Sequence, residues 1–178
     1  MIETLISSKT RIKLLFKFFL NTNTTAYLRS LESEFGDSTN SIRIELNRLE
    51  KAGMLQSFSE GNKKVFQANT THPLFKEIHN IVIKHLGFDT IIDKVVGNLG
   101  NVRQVFVTGA LAKGMDSPVI DLLMVGDINK EYLVSLIEKA ESLISRKIRY
   151  VVYNAEEMKA LDWSLFEVEP LLIWNHES

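Results

Sequence analysis

The stretch TNSIRIELNRLEKAGML, residues 39–55, decides the fold of the first part of the chain. A helix over this stretch, at about 100° per residue, places Ile42, Leu46 and Leu49 on one face, which predicts that this face is buried. The other side carries polar and basic residues together with one isoleucine: Asn40, Arg43, Ile44, Asn47 and Lys51, with Arg48 at its edge. Gly53 is typical of a residue that ends such a helix.

Two predicted helices come before this stretch and a predicted hairpin follows it. Residues 4–20 have apolar side chains at largely helical spacing, and residues 26–36 form a second helix that Thr24 or Thr25 caps and Gly36 ends. Asp37 or Ser38 opens the third helix. Two β-like runs follow, residues 54–59 and 64–68, and the residues between them, including Gly61 and Asn62, suit a hairpin turn.

The outward side of the third helix has the chemistry of a DNA-reading surface. Arginine pairs with guanine, asparagine pairs with adenine, and an apolar side chain contacts the thymine methyl group. The lysines beside the hairpin turn suit contacts with phosphate. The predicted DNA contacts are Thr39, Asn40, Ser41, Arg43, Ile44, Asn47, Arg48, Lys51, Lys63 and Lys64. The alternative is an ordinary solvated helix face whose cations pair with Glu45 and Glu50.

Residues 9–68 resemble the ArsR/MarR-like winged helix-turn-helix transcription regulators. The resemblance is most specific in residues 41–55, SIRIELNRLEKAGML, which is similar to the recognition helix and the entry to the wing in those proteins. It implies a module of three helices and a β-hairpin wing that binds double-stranded DNA, and a symmetric homodimer. Because the chain has no cysteine, sensing of metals through thiolates does not carry over.

The charge of the chain is unevenly divided. The 178 residues carry a net charge of −1, but residues 1–86 have 12 Lys+Arg against 8 Asp+Glu, and residues 87–178 have 9 against 14. A basic module is therefore joined to an acidic one, and this asymmetry hints at nucleic acid. A polar stretch ending in Pro73 marks the boundary. The predicted domains are residues 1–70, a connecting helix over 71–87, and residues 88–178.

The connecting segment PLFKEIHNIVIKHL, residues 73–86, reads as a helix with proline in its first turn. Its apolar stripe consists of Leu74, Phe75, Ile78, Ile81, Val82 and Leu86. Two interpretations remain open. The stripe packs within its own chain, or it pairs with a second subunit.

The C-terminal residues read as a small α/β module with a mixed sheet, so that the whole chain is predicted to be α+β. The predicted order is a helix over 88–99, strands over 102–108 and 119–127, a helix over 130–146, a strand over 148–153, and a short helix capped by Asn154. A glycine-containing loop, residues 109–118, joins the first two strands. The apolar segment 161–174 is predicted to pack in the core as a helix and a strand.

Residues 88–158 resemble the minimal nucleotidyltransferase domain of the polymerase-β superfamily. The matching positions are Gly109, Gly114 and Asp121. Ala110 stands where that family has serine, and Val119 stands where it has the first carboxylate of Asp-x-Asp. The later strand has Arg149 and Val151 in place of a third carboxylate. Nucleotidyl transfer needs two metal ions held by several carboxylates, so we expect no enzyme activity, no catalytic residues, no metal and no cofactor.

The glycine loop keeps two further interpretations open. Its backbone N–H groups and Lys113, together with Gly109, Gly114 and Asp121, form a candidate site for an anionic small-molecule effector. Otherwise the loop is only a tight turn, and the module serves dimerisation or partner docking.

The sequence favours a cytoplasmic, dimeric, DNA-binding transcription regulator with an inactive nucleotidyltransferase-like domain for assembly or sensing. The N-terminal apolar run is interrupted by lysine and arginine, which argues against a signal peptide, and no membrane partner is expected. Two alternatives stay open: an active nucleotidyltransferase with an accessory DNA-binding domain, and a protein–protein interaction module that does not bind DNA.

Overall fold

The computed structural model describes residues 2–176 and divides into two compact units, Met1–His85 and Leu86–Ser178. The division falls at the end of the helix predicted to connect two domains. Whether residues 1–70 and 88–178 are independent domains stays a prediction. Within residues 2–176, no helix is both long enough and apolar enough to cross a membrane.

The N-terminal unit contains five helices and a three-stranded sheet. In chain order its elements are α1 (Ile2–Leu5), α2 (Lys9–Phe19), β1 (Thr25–Tyr27), α3 (Leu28–Phe35), α4 (Thr39–Lys51), β2 (Leu55–Glu60), β3 (Lys63–Ala68) and α5 (Phe75–Leu86). The sheet is antiparallel in the order β1-β3-β2. Glu60 pairs with Lys63, so Gly61 and Asn62 form a two-residue turn at the tip of the hairpin.

The core of this unit is built on the predicted apolar face of α4. Ile42 and Leu46 are at most 1% exposed and Leu49 is 5% exposed, which confirms the face deduced from helical spacing. Phe16, Phe18 and Phe19 of α2 are also buried. Full burial of one such side chain stabilises the fold by about 1.5–3 kcal/mol, so these positions hold α4 in one rotational setting.

The predicted N-terminal helix over residues 4–20 is wrong in one respect, because the chain breaks between α1 and α2. Ser8 adopts an extended conformation there, and its hydroxyl accepts a hydrogen bond from the Arg11 N–H at 3.2 Å. Serine competes for backbone donors in this way, which favours a helix start over a helix interior.

The predicted cap of the second helix is also wrong, because Thr25 lies in strand β1 and pairs with Gln67. The helix begins after Tyr27, whose N–H donates to the Ser30 hydroxyl. Gly36 ends the helix in a left-handed conformation (φ 66°), as predicted. Ser38 opens α4, and its hydroxyl accepts from the Ser41 N–H.

Helix α5 packs on α2 through aromatic side chains. Phe75 stacks on Phe19, with ring centroids 5.7 Å apart, and His79 donates from Nδ1 to the Phe19 carbonyl oxygen at 2.6 Å. Part of the predicted apolar stripe therefore packs within its own unit. Leu74 and Ile81 stay 50% and 43% exposed, and a second subunit remains a prediction for this side of the helix.

The C-terminal unit is built around a four-stranded mixed sheet, which confirms the predicted α+β class. Its strands are β4 (Val102–Thr108), β5 (Val119–Gly126), β6 (Lys147–Tyr153) and β7 (Leu171–Asn175), in the order β6-β5-β4-β7. Strands β5 and β6 are parallel and the other pairs are antiparallel. The helical elements are α6 (Phe88–Ile91), a π-helix (Ile92–Val96), α7 (Gly97–Leu99), α8 (Gly109–Ala112), α9 (Lys130–Ile144), α10 (Ala155–Lys159) and a 3-10 turn (Trp163–Leu165).

Two predictions for this unit need correction. The helix over residues 88–99 contains a π-helical segment, which simple apolar spacing does not reveal. The segment 161–174 is only partly core, because Leu165 and Leu172 are 77% and 45% exposed. Trp163 does contact Phe106 edge to face, with ring centroids 5.6 Å apart.

Two glycines of this unit provide a matched test of the fold. A Cβ atom at Gly126 would overlap the carbonyl oxygen of Asn101 and lie 3.0 Å from the Cα atom of Val102, both backbone atoms of the neighbouring chain segment. We expect Gly126→Ala to lower the free energy of unfolding by about 2 kcal/mol or more. Gly97 has ordinary helical φ (−60°), so Gly97→Ala should be neutral or stabilising by about 0.5–1 kcal/mol. Urea unfolding of both variants checks this, and equal effects would contradict it.

Candidate functional site

A groove of about 560 Å³ lies between α4, the start of α3 and the tip of the β2–β3 hairpin. Four of the predicted DNA contacts line it: Arg43, Asn47, Lys63 and Lys64. The remaining wall and floor are formed by Tyr27, Leu28, Arg29, Leu46, Asn62 and Phe66. The structure therefore brings the outward side of α4 and the basic hairpin together in one concave surface.

The other predicted contacts lie along α4 outside the groove. Thr39 is half-buried. The five others are exposed: Asn40, Ser41, Ile44, Arg48 and Lys51. Ile44 is 41% exposed, so α4 presents one apolar side chain among the polar ones on its outward side. Ser41 is engaged locally, since its hydroxyl lies 2.7 Å from that of Ser38.

Sequence reasoning missed Tyr27 and Arg29, which the groove includes. Arg29 is the second residue of α3, and Tyr27 precedes it at the end of β1. The Lys63 ammonium lies 4.3 Å from the centroid of the Tyr27 ring, a cation–π contact that joins the hairpin tip to this strand. Neither residue belongs to a periodic pattern, and β1 is only three residues long, so no sequence signal marks this wall.

The ion pairs of the N-terminal unit divide its cations into two groups. Arg48 pairs with Glu45 at 3.1 Å and Lys64 pairs with Glu50 at 2.7 Å. Such pairs are those of an ordinary solvated helix face. Arg29, Arg43, Lys51 and Lys63, however, have no carboxylate partner anywhere in the described part of the chain. Uncompensated positive charge thus lies at the groove and along α4, which favours an anionic ligand there.

Glu50 ties the end of α4 to both strands of the hairpin. Its carboxylate accepts hydrogen bonds from Lys64 Nζ on β3 and, at 2.5 Å, from the Ser57 hydroxyl on β2. The bond from Lys64, followed by the bond from Ser57, holds the pKa of this carboxyl below its usual value. The hairpin is therefore anchored at a set angle to α4.

Glu45 is the buried acid of the unit, at 5% exposure, and it joins α4 to α2. Arg11 donates to both carboxylate oxygens, at 2.8 and 3.3 Å, and Arg48 donates at 3.1 Å. Burial raises the pKa of Glu45, but hydrogen bonds from Arg11 and Ser8 and the charges of both arginines outweigh burial and lower it. Sequence reasoning treated Glu45 as a surface partner and so missed this role.

In the C-terminal unit, Asp121 and Arg149 form a bidentate ion pair across the parallel strands β5 and β6. The two residues are direct partners in the sheet. Arg149 donates from Nε to Oδ1 at 2.6 Å and from Nη2 to Oδ2 at 2.9 Å, so both carboxylate oxygens are engaged. The hydrogen bond with Asp121 raises the pKa of the arginine above its ordinary value.

The glycine loop next to this pair forms backbone hydrogen bonds within itself. Gly109 has φ of +66°, a left-handed conformation that favours glycine, and a Cβ atom there would lie 2.9 Å from Asp121 Oδ2, the movable end of that side chain. The N–H groups of Lys113, Gly114 and Met115 donate to carbonyls of residues 109–111 within the loop. Lys113 Nζ pairs with Glu167 at 2.6 Å. The geometry is that of a tight turn, and an effector at Gly109, Lys113, Gly114 and Asp121 stays a prediction.

The residues of this site do not fit a pair of divalent cations. Such ions require several free oxygen ligands, and here the one aspartate is bonded through both oxygens to Arg149, with Val119 and Val151 nearby on the same strands. Among residues 2–176, no group of three or more histidines and carboxylates is arranged to hold a metal ion.

Comparisons with known proteins found little that resembles this chain. No protein-family profile matches it, and no curated protein matches it in sequence. Among solved structures, a protein from Sulfolobus solfataricus described as a "putative nucleotidyltransferase" is 25% identical, with a TM-score of 0.36. The match covers 54% of this chain and 85% of that one.

The buried ion pair of Glu45 leads to a pH-dependent prediction. We expect Glu45→Gln to lower the free energy of unfolding at pH 7 by about 1–3 kcal/mol, since a buried charge-assisted network loses its anion. Because the folded-state pKa of Glu45 is depressed, its contribution is present above the unfolded-state pKa, about 4.3, and is lost as pH falls through the folded-state value.

Urea unfolding at pH 7 and at pH 3 measures this difference. Glu32→Gln is the control, because Glu32 is exposed and has no ion pair in the described part of the chain. A Glu45→Gln penalty that is unchanged at pH 3 would contradict the assignment.

Proposed function

We propose that the chain is a dimeric transcription regulator that binds duplex DNA through a winged helix-turn-helix module, residues 9–68. The C-terminal unit is then a catalytically inactive, nucleotidyltransferase-like module for assembly or ligand sensing. One observation carries the proposal: Arg43 and Asn47 on the outward side of α4 share one groove with the basic tip of the hairpin.

The connection between α3 and α4 supports the helix-turn-helix assignment. Three residues, Gly36 to Ser38, separate the two helices, and Gly36 takes the left-handed conformation that the sharp turn requires. The hairpin follows α4 directly, and Glu50 holds it beside that helix. In this arrangement α4 is the recognition helix and the β2–β3 hairpin is the wing.

Each group in the groove has a distinct role in the proposal. Arg43 and Asn47, one helical turn apart, read base edges in the major groove, and Ile44 contacts a thymine methyl group. Lys63 and Arg29 contact phosphates, which set the position of the module without reading sequence.

The net charge of +4 in residues 1–86 suggests only moderate affinity per subunit. A dimer that binds two half-sites makes up the difference. The exposed apolar side of α5 at Ile81, together with Leu74 just before the helix, is the proposed contact between subunits.

The proposed inactivity of the C-terminal unit rests on Asp121 and Arg149. Both oxygens of the Asp121 carboxylate accept hydrogen bonds from Arg149, so neither is free to bind a catalytic metal ion. Arg149 also places positive charge where a second anionic ligand of the metal would be needed. Incubation with labelled nucleoside triphosphates and Mg²⁺ should give no transfer of label. Transfer above the level of an Asp121→Asn variant would contradict inactivity.

The central experiment is selection of bound DNA from a random duplex pool, with affinity then measured at several salt concentrations. We expect a nearly palindromic motif and an affinity that falls steeply with salt, because bound phosphates release counterions. No enrichment together with a flat salt dependence would favour a protein–protein module.

Arg43 provides a residue-level prediction. Arg43→Ala should relax the preference at one base position by about 1–3 kcal/mol and leave the other positions unchanged. Lys76→Ala is the control, because it removes one exposed cation from α5, away from the groove. Competition binding with single-base variants of the selected site measures the change. Uniform weakening on all sites would instead make Arg43 a phosphate contact.

A further inference from the structure

A second groove, of about 630 Å³, lies in the C-terminal unit at the end of the sheet away from the glycine loop. In the β4–β5 pair, Thr108 and Asp121 mark one end, while Val102 and Gly126 mark the other. The groove lies at the Val102 end, between the first residues of β4, the last residues of β7 and helix α10. Its lining consists of Arg103, Gln104, Val125, Ala155, Met158, Lys159, Asn175 and His176.

Positive charge collects on the rim of this groove, although residues 87–178 are acidic overall. Arg103 is exposed and has no ion pair with any described residue. Lys159 pairs with Glu156 at 3.2 Å, but both side chains are more than 70% exposed. A ligand can therefore displace Glu156 from Lys159 at little cost in free energy. His176 lies on the same rim, and its ring stacks on Trp174.

Two carboxamides lie side by side in the same groove. Gln104 and Asn175 are direct partners in the antiparallel pair of β4 and β7. Neither side chain forms a hydrogen bond within residues 2–176. Each carboxamide has both donors and an acceptor, so the pair is suited to the edge of a heterocycle, which presents both kinds of group.

The floor between these polar groups is apolar. Val125 is 3% exposed, and Met158 and Ala155 of α10 are half-buried beside it. An apolar floor with a few converging polar groups, in a volume of several hundred Å³, is the usual composition of a small-molecule site.

We propose that this groove binds a small anion attached to a flat heterocyclic ring, the chemistry of a nucleoside monophosphate. Arg103 and Lys159 bind the phosphate group, since arginine offers paired N–H donors to phosphate oxygens. Gln104 and Asn175 bind the edge of the ring, and the ring lies on Val125 and Met158.

The glycine loop is the weaker site for such an anion. Its N–H groups at residues 113–115 already donate within the loop, and Lys113 pairs with Glu167. The effector predicted for Gly109–Gly114 is therefore assigned to the Arg103 groove. Its use as a regulatory signal rests on the proposed function, whereas the binding itself does not.

Calorimetric titration of the full chain, without DNA, tests the assignment. The probes are AMP, GMP, CMP and UMP, with the four matching nucleosides and inorganic phosphate as the two halves of each nucleotide. We expect at least one nucleoside monophosphate to bind one per chain, and both halves to bind at least tenfold more weakly.

Arg103→Ala and, independently, Lys159→Ala should weaken binding of the nucleotide, the former by tenfold or more, and Arg103→Lys should restore part of the loss. Gln104→Leu should reduce discrimination among the four bases. Lys113→Ala is the matched control, since it removes a cation from the glycine loop and should leave the affinity unchanged. Thermal unfolding of each variant confirms that it is folded.

Three results overturn the proposal. One is no binding of any of the four nucleotides at millimolar concentration. Another is an affinity that depends on Lys113 and not on Arg103, which places the anion at the glycine loop. The third is phosphate binding as tightly as the nucleotides, which would show that the heterocycle contributes nothing to binding. Because no DNA is present, none of these results depends on whether the N-terminal unit binds DNA.

Discussion

The buried carboxylate of Glu45 is the interaction on which the N-terminal unit depends most. It lies on the core side of α4, next to Ile42 and Leu46. It accepts hydrogen bonds from Arg11 of α2 and from Arg48 of its own helix. A buried charge tolerates little displacement from its partners, because its desolvation is offset only by good geometry. Glu45 therefore sets the rotation of α4, and that rotation turns Arg43 and Asn47 toward the groove.

Glu50 extends the same principle to the hairpin. It lies one residue before the end of α4 and bonds one side chain from each hairpin strand, Ser57 and Lys64. Lys63 directly precedes Lys64, and its ammonium group lies over the Tyr27 ring. Two acidic residues five positions apart thus orient a surface whose own chemistry is basic. Glu45 and Glu50 neutralise Arg48 and Lys64, so the positive charge left on that surface is that of Arg29, Arg43, Lys51 and Lys63.

The sequence predicted features that repeat along an element, and it failed where single contacts decide, as at the start of α3 and at the break between α1 and α2. Helical spacing identified the buried face of α4, β-like runs with turn residues between them identified the hairpin, and the order of the elements predicted the mixed sheet. Strand β1 escaped prediction because three residues carry no period, and it exists only because β3 offers it a partner. Arg29 and Tyr27 were missed with it. Glu45 was misplaced because an acid is rarely buried, and only the three-dimensional position of Arg11 makes its burial favourable.

In the C-terminal unit, Arg149 supplies within the chain the positive charge that the Asp121 carboxylate faces on the neighbouring strand. On adjacent parallel strands, two facing acids repel each other unless a cation lies between them, which is the condition for a metal site. With arginine at position 149, the cation is part of the chain, and the strands remain paired without any metal. Gly109 is favoured at its position because its φ of +66° is left-handed, a conformation that other residues rarely adopt. Local backbone conformation thus accounts for Gly109, and the ion pair with Arg149 accounts for Asp121.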